Sequence, residues 1–399
     1  PRQSVRNSAY ILRTSPHAVA GDRYVVLTDQ TSSRFLEPLR ALARHHDGDV
    51  ITVKDLATLH DRPQEFDQVQ SQLRKSKVRF VAIAPRLESF RENMLLGLWE
   101  LLSTLDDDPQ IDALPGLLVA SDAAKFSRLI EQSIGFRPLV STEIKPLAIS
   151  QVRQASETRS LQKAGILRRH FADYGYQTPV VAIYGQQATS APRLPGSQVW
   201  NLTAPGGGKF VQTFPAELAQ TLAQANLIVM HGHGIPGMSC SVDVAGLPAD
   251  MSGKVLLTGS CFSAAPVRSD LPAMRQAPGG YTLQPGDAAK LPQAFALRAV
   301  DRGAVVVFGH QRLSSGFPHL YPVLEAWMQG LTVGEAYQQL LNGLIELQGT
   351  QAGDFVIRQQ PQPRRQPPQN RLLYVVIGDP AVQPFKRLQR KPRPESVSR

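Results

Sequence analysis

Two histidines and a cysteine follow apolar segments in the second half of the chain. The stretch ANLIVMHGHGIPGMSC (Ala225–Cys240) is an apolar run that leads into His231 and His233, each followed by a glycine. A second apolar run, KVLLTGSC, ends at Cys261. A cysteine thiolate is a nucleophile, and a nearby histidine lowers the pKa of the thiol or transfers the proton of a leaving group. Together these residue types predict a cysteine–histidine site that attacks a carbonyl group.

Both apolar runs are typical of buried strands, and their order suits a parallel sheet. In an open α/β sheet, ligands bind at the carboxyl ends of the strands. Neighbouring parallel strands lie about 4.8 Å apart, so adjacent strands would bring His233 and Cys261 into one pocket. Gly234 lets the backbone approach a substrate without a Cβ in the way, and Gly259 permits a sharp turn before the cysteine.

Short apolar runs alternate with helical segments along most of the chain, which predicts an α/β fold of open, mostly parallel sheets flanked by helices. The clearest runs are YVVLT, VRFVAIA, VVAIYG, NLIVM, KVLLTG, GAVVVFG and LLYVVIG. We expect two side-by-side subdomains, an N-terminal one over residues 1–148 and a catalytic one over residues 149–385. A polar helix that begins at Ile149 is expected to join them. Residues 386–399 are expected to form a basic, disordered tail.

The net charge of +10 is concentrated at the end of the chain. Residues 358–399 hold ten Lys and Arg and two acids, so the rest of the chain is near +2. The final stretch FKRLQRKPRPESVSR lacks the interleaved aromatic residues that stack on bases, so a solvated tail is favoured over a nucleic-acid-binding arm. The longest apolar runs are far shorter than the roughly 20 residues needed to cross a bilayer, so we expect no membrane span.

Several segments resemble the caspase-like (clan CD) cysteine peptidases and, within that group, the gingipain family. The resemblance rests on a strand ending in His-Gly and a later strand ending in Cys, followed by GAVVVFGHQRLSSG, LTVGEAYQQLLN and LLYVVIGDPAVQPF. It is strong from about Asn226 to Phe385 and looser in the amino half. The resemblance implies a caspase-like fold, a cysteine endopeptidase that cleaves proteins or peptides, and a secreted or cell-envelope location. A cytoplasmic location stays open, no cofactor is required, and a structural calcium ion is expected by resemblance alone.

The resemblance also assigns roles to individual residues. Cys261 matches the nucleophile, and His233 matches the active histidine, which often stands in a Gly-His-Gly context. The backbone N–H groups of Gly234 and Cys261 match the oxyanion hole. His231 and Gly232 would then support the site. A third group orients the histidine in some relatives, but no position here matches it well enough to be named.

One departure from the family affects the predicted specificity. After the strand that contains FVAIA, relatives commonly have Gly-Asp, whereas this chain has Pro85 and Arg86. This change weakens the expectation of basic-residue specificity and of an ion site at that position. Asp243, Asp270 and Asp287 lie in loops near the expected pocket and could select a cationic side chain, although each is more simply explained as a solvated loop acid.

The residues alone leave three alternatives to the peptidase open. His231, His233, Cys240 and Cys261 are ligand types that zinc accepts, although the spacing to Cys261 is long and no compact knuckle is present. A disulfide between Cys240 and Cys261 would block catalysis, and otherwise Cys240 is expected to be incidental. The chain could also be a catalytically inactive relative that binds peptides or acts as a scaffold.

Other motifs contribute less chemistry. PGGGK at Pro205–Lys209 lacks the spaced first glycine and the Ser/Thr of a phosphate-binding loop. GDP at Gly378–Pro380 predicts a turn after the last strand. His310 and His319 are expected to be structural or solvated, and the long segment 266–287 is expected to shape the substrate site.

Overall fold

The computed structural model describes the chain in a series of segments. The described residues are 22–152, 158–184, 198–201, 216–235, 237–240, 242–265, 273–277, 280–284, 294–312, 314, 316–348 and 372–391. No helix in these segments is long and apolar enough to span a bilayer. Most of the predicted substrate-shaping segment and the PGGGK loop lie outside the described residues.

Within the described segments, the main sheet consists of eleven strands in two parallel blocks that run in opposite directions. Across the sheet the strands are β2 (Asp49–Thr52), β1 (Arg23–Thr28), β3 (Val78–Ala84), β4 (Leu114–Leu117), β16 (Tyr374–Ile377), β15 (Val306–His310), β12 (Val255–Thr258), β8 (Leu227–His231), β5 (Pro146–Val152), β6 (Val180–Tyr184) and β7 (Gln198–Asn201). Only the β15–β16 pair in this sheet is antiparallel. The carboxyl ends of the first five strands therefore lie at one edge, and those of the last six lie at the opposite edge.

Two small antiparallel sheets accompany the main one. One contains β9 (Gly234–Ile235), β10 (Met238–Ser239) and β11 (Val242–Asp243). The other is a hairpin of β13 (Ala273–Ala277) and β14 (Gly280–Gln284), within the predicted substrate-shaping segment. The first of these sheets follows His233 directly and so bears on the position of that residue.

Helices alternate with the strands and cover the sheet. They are α1 (Ser33–His45), α2 (Pro63–Ser76), α3 (Glu92–Leu102), α4 (Ala123–Gly135), α5 (Thr158–Asp173), α6 (Ala216–Gln224), α7 (Phe295–Asp301), α8 (Phe317–Met328) and α9 (Val333–Gln348), with a 3₁₀ helix at Leu56–Asp61. Every residue of β8, β12, β15 and β16 is buried. Continuous burial is why these strands read as unbroken apolar runs. The predicted α/β fold, a mostly parallel sheet flanked by helices, is confirmed.

The subdomain boundary that the sequence analysis places between residues 148 and 149 lies inside a strand. Residues 146–152 form β5, which pairs in parallel with both β6 and β8. Leu147, Ala148 and Ile149 are buried, so the prediction of a helix from Ile149 is wrong. Pairing on both sides favours the extended backbone despite the polar residues that follow, and the next described element is the helix Thr158–Asp173.

The turn predicted at Gly378–Pro380 also attaches the amino half of the chain. The carboxylate of Asp379 is buried and accepts hydrogen bonds from the Tyr24 hydroxyl at 2.8 Å and the Ala381 N–H at 3.0 Å. Nε2 of His46 lies 2.9 Å from the other carboxylate oxygen. Burial and the nearby Asp379 carboxylate hold the pKa of Tyr24 well above its usual value. The contacts connect β1 and the end of α1 to the segment that follows β16.

Residues 386–391, expected to begin a disordered tail, instead pack against the second half of the protein. The guanidinium of Arg390 pairs with the carboxylate of Glu325, which is only 1% exposed. The Tyr174 hydroxyl donates to the same carboxylate at 3.0 Å, and Arg390 lies over the Tyr174 ring. Nε2 of Gln329 also donates to this carboxylate at 2.7 Å, so Arg390 is one of several partners of the buried group. The last eight residues of the chain lie outside the described residues.

We predict that Arg390→Ala lowers the free energy of unfolding by about 1 kcal/mol, because Glu325 loses its guanidinium partner but keeps the hydrogen bonds from Tyr174 and Gln329. Urea denaturation with linear extrapolation measures the change. Arg387→Ala is the matched control, since it removes an exposed cation from the same segment. Equal losses in the two variants would contradict the anchoring role of Arg390.

Candidate active site

The predicted nucleophile and histidine follow two adjacent strands. β8 and β12 pair in parallel, with Thr258 opposite Met230, and the Gly259 N–H donates to the Met230 carbonyl at 2.9 Å. His233 and Cys261 therefore leave the sheet at the same edge. The expectation that these strands are parallel neighbours is confirmed.

The loops that follow the two strands touch at Gly234. A Cβ added there would lie 2.5 Å from the carbonyl oxygen of Cys261 and 2.7 Å from the Cβ of Ser260. Only a hydrogen atom fits in that space, so a side chain would push the loops apart. The Cys240 N–H donates to the His233 carbonyl at 2.9 Å and fixes the histidine loop from its other end. Packing between the loops therefore requires glycine at position 234, independently of any approach to a substrate.

A side chain from a third strand holds His233, and sequence analysis did not identify it. Gln151, near the carboxyl end of β5, is 3% exposed, and its Oε1 accepts the backbone N–H of His233 at 3.0 Å. A Cβ at Gly232 would lie 2.7 Å from the Cβ of Gln151, so the glycine permits this approach. The available signal was a polar residue at the end of a buried strand, which the wrong helix prediction concealed.

His231 is buried and packs edge-to-face on the ring of Phe317, with ring centroids 5.7 Å apart. Its Nδ1 is buried without a hydrogen-bond partner among the described residues. Burial lowers the pKa of His231 to about 3, and the positive charges of Lys163 and His233 contribute to the decrease. His231 is therefore a neutral packing residue at neutral pH, whereas His233 is partly exposed.

The Cys261 thiol is partly exposed and contacts the loop that follows β15. Its sulfur accepts the N–H of Ser314 at 3.3 Å. The next residue, Phe262, has a φ of 56°, and its N–H donates to the Arg312 carbonyl at 2.8 Å. Burial raises the pKa of the Cys261 thiol, and the hydrogen bond from Ser314 opposes that increase. At neutral pH such a thiol needs a base to ionise fully.

Cys240 lies in a buried hydroxyl network. Its sulfur is 3.6 Å from the Ser260 hydroxyl, and the Ser239 hydroxyl lies 2.7 Å from that of Thr258 and 2.9 Å from that of Ser260. Burial raises the pKa of the Cys240 thiol to about 12. Both cysteines are free, so the proposed disulfide is contradicted.

The zinc alternative is not supported by the geometry. Among the described residues, just one group brings three His, Cys, Asp or Glu ligand atoms within 4.8 Å of one another, and it consists of Asp106, Asp108 and Asp112. Burial and the nearby Asp106 raise the pKa of Asp112 to about 8. Carboxylate oxygens suit a hard cation such as Ca²⁺, but exposed acidic groups are common without one. The calcium ion therefore stays an expectation from the resemblance.

Arg86, which marks the departure from the family pattern, lies among acids of the amino half. Its guanidinium is 3.4 Å from Asp29 and 3.7 Å from Asp55, and the backbone N–H of Arg86 donates to the Asp29 carboxylate at 2.6 Å. Because β3 belongs to the first block of strands, Arg86 lies at the edge of the sheet opposite Cys261. The departure therefore concerns the amino half and lies away from Cys261.

Of the three loop acids that could select a cationic side chain of the substrate, the structure describes one. Asp243 accepts the N–H of Gly246 at 2.8 Å, which is a local turn contact. Asp270 and Asp287 lie outside the described residues, so their role stays a prediction.

A comparison with solved structures supports this architecture, whereas two sequence comparisons found no match. No protein-family model and no curated protein matches the sequence. Among solved structures, the chain is similar to the Arg-specific cysteine proteinase gingipain R. The match covers 93% of this chain and 80% of that one, with a TM-score of 0.56 and 13% sequence identity. At this identity the likeness shows the fold, and the protein has a caspase-like α/β fold.

We predict that Gly234→Ala lowers the free energy of unfolding by about 1–3 kcal/mol, because the new Cβ overlaps the Cys261 backbone. Gly135→Ala is the control, since nothing lies within 4 Å of its added Cβ. Urea denaturation measures both variants. A Gly234→Ala protein as stable as the control would refute the close approach of the two loops.

His231 should make the fold sensitive to acid. The unfolded histidine titrates near 6.5, whereas the folded one stays neutral down to about pH 3. The unfolded state therefore binds more protons in this window, and stability should fall as the pH decreases from about 6.5 towards 3. His231→Gln should lose less stability between pH 7 and pH 4, as measured by urea denaturation, while the exposed control His45→Gln should behave like the unmodified protein. Equal pH dependence in all three proteins would exclude a buried neutral His231.

Proposed function

We propose that this protein is a cysteine endopeptidase that uses Cys261 as the nucleophile and His233 as the proton-transfer group. The observation that carries the proposal is the pairing of β8 with β12, whose loops meet where Gly234 packs against Cys261. The similarity of the fold to a cysteine proteinase supports the same reaction class.

In the proposed reaction, the Cys261 sulfur attacks the carbonyl carbon of a peptide bond. Because burial raises the pKa of this thiol, His233 takes the proton as the sulfur–carbon bond forms. The N–H groups of Gly234 and Cys261 would stabilise the oxyanion. The carbon–nitrogen bond then breaks, and the amine leaves with the proton held by His233. Water, deprotonated by His233, hydrolyses the thioester and releases the acid and the free thiol.

Gln151 has a supporting role in this proposal. Its hydrogen bond to the backbone of His233 fixes the loop without engaging the imidazole ring through that contact. The histidine can then exchange protons while its backbone stays in place. The substrates would be proteins or peptides, the chemistry would need protein groups alone, and the secreted or cell-envelope location is part of the same proposal.

We predict that Cys261→Ala and His233→Ala each reduce peptide cleavage by about 10³-fold or more, because each removes a group that forms or breaks a bond. Incubation with a peptide library, read by mass spectrometry, measures cleavage and reports the preferred residue at the cut. Cys240→Ala is the matched control, since that thiol is fully buried, and it should retain most of the activity. Cleavage that survives Cys261→Ala would defeat the assignment.

A peptidyl reagent directed at thiols separates the peptidase from a peptide-binding scaffold with the same fold. The peptidase should become labelled on Cys261 and should leave Cys240 unlabelled. Peptide binding without cleavage, together with an unlabelled Cys261, would support the scaffold instead.

A further inference from the structure

The loop after β15 contacts the Cys261 sulfur through a residue whose own side chain is anchored. Ser314 donates its backbone N–H to that sulfur at 3.3 Å. The Ser314 hydroxyl lies 2.9 Å from the hydroxyl of Tyr374 and accepts the Gly316 N–H at 2.8 Å. The direction of the Ser314 N–H is therefore fixed by contacts made by the Ser314 side chain.

Tyr374 is a rigid anchor for this loop. It is the first residue of β16 and is 1% exposed. Its hydroxyl lies 2.6 Å from Nδ1 of His319, which is also buried, and the His310 ring packs edge-to-face on its ring at 4.3 Å. The hydroxyl thus lies between Ser314 on the loop and His319 on α8.

A second contact fixes the same loop from the amino half. Arg312 pairs through its guanidinium with Glu92 on α3, and its backbone N–H donates to Nδ1 of His310 at 2.9 Å. The Arg312 carbonyl accepts the N–H of Phe262, the residue after the nucleophile. The loop is therefore held at Arg312, two residues before the point where it meets the sulfur, and again at Ser314, which makes that contact.

A held N–H beside the sulfur has a chemical consequence. Hydrogen bonds to charged groups are stronger than those to neutral ones, so this N–H favours the thiolate over the thiol. The bond opposes the effect of burial on the pKa of Cys261. The stabilisation of the thiolate by this hydrogen bond depends on the direction of the Ser314 N–H, because hydrogen bonds weaken steeply as the donor angle departs from linearity.

We infer that Tyr374 is a positioning residue whose hydroxyl, held by His319, keeps the Ser314 N–H directed at the Cys261 sulfur. Its importance for catalysis rests on the proposed peptidase function. Its effect on the thiol is independent of that function. Tyr374 acts on the Cys261 thiol through Ser314 and makes no contact with the substrate.

Tyr374→Phe tests this inference, because it keeps the ring and removes the hydroxyl. The rate at which iodoacetamide alkylates Cys261, followed by mass spectrometry across a range of pH, requires no peptidase activity. We expect alkylation at pH 7 to be about three- to tenfold slower in the variant, with the midpoint of the profile moved to higher pH. If the protein cleaves peptides, kcat should fall by a similar factor while KM stays nearly unchanged.

Tyr337→Phe is the matched control. Its hydroxyl is also buried, and it donates to the backbone carbonyl of Tyr374 at 2.6 Å. The control therefore deletes a tyrosine hydroxyl that bonds the same residue, and it should leave the alkylation profile unchanged.

Ser314→Ala provides a second route to the same result. It keeps the N–H but removes the hydroxyl that Tyr374 holds, so it should slow alkylation like Tyr374→Phe. Cys261 in the double variant should be alkylated no more slowly than in either single variant, because both changes remove the same hydrogen bond between Ser314 and Tyr374. Ser314→Thr, which keeps a hydroxyl, should restore most of the rate.

The outcomes separate the inference from the proposed function. An unchanged alkylation profile in folded Tyr374→Phe, or an equal change in Tyr337→Phe, would overturn the inference even if the protein cleaves peptides. A shifted profile in a protein that cleaves no peptide would support the inference and refute the peptidase assignment.

Discussion

The parallel pairing of β8 with β12 is the constraint on which the candidate site depends. It sets the loops that carry His233 and Cys261 side by side at one edge of the sheet. Contacts within the two loops then determine where the side chains of these residues lie. The space at Gly234 admits no side chain, and Gln151 and Ser314 hold the two loops from opposite sides.

The site is held mainly by backbone hydrogen bonds to side chains from distant parts of the chain. Gln151 reaches His233 across 82 residues, and Cys261 meets Ser314 across 53. Below the loops, the hydroxyls of Ser239, Thr258 and Ser260 satisfy one another in a buried region. A satisfied polar network of this kind favours one arrangement of the loops over alternatives.

The sequence was informative wherever local pattern and burial agree. β8 and β12 were recognisable because both of their faces are buried, so the strands are continuous apolar runs. The helix expected from Ile149 is wrong because the polar residues after it suit a helix, whereas two neighbouring strands favour the extended form. The packing of Arg390 was not expected for a related reason, since a basic run usually indicates solvated chain. Its partner Glu325 lies within the otherwise apolar helix FPHLYPVLEAWM, and that isolated acid was the available signal.

Ser314 and Tyr374 were beyond the reach of such patterns. Each acts through one contact with a residue far away in sequence, and nothing in its immediate neighbours indicates that contact. The positions of the catalytic candidates could thus be predicted from strand ends, whereas their supports required the tertiary structure. The caspase-like fold was anticipated by resemblance, and the roles of Cys261 and His233 stay predictions.

The position of β16 affects the order in which the protein can be completed during synthesis. This strand comes from residues 374–377 yet lies in the middle of the sheet, between β4 and β15. Until residues 374–377 have been translated, the nascent chain holds the other strands of both blocks without the strand that joins them. The nascent chain at that stage also lacks Tyr374, so the thiol of Cys261 would be translated long before its surroundings are finished. Central placement of this strand thereby delays a competent site until residues 374–377 have been translated and have paired with β4 and β15.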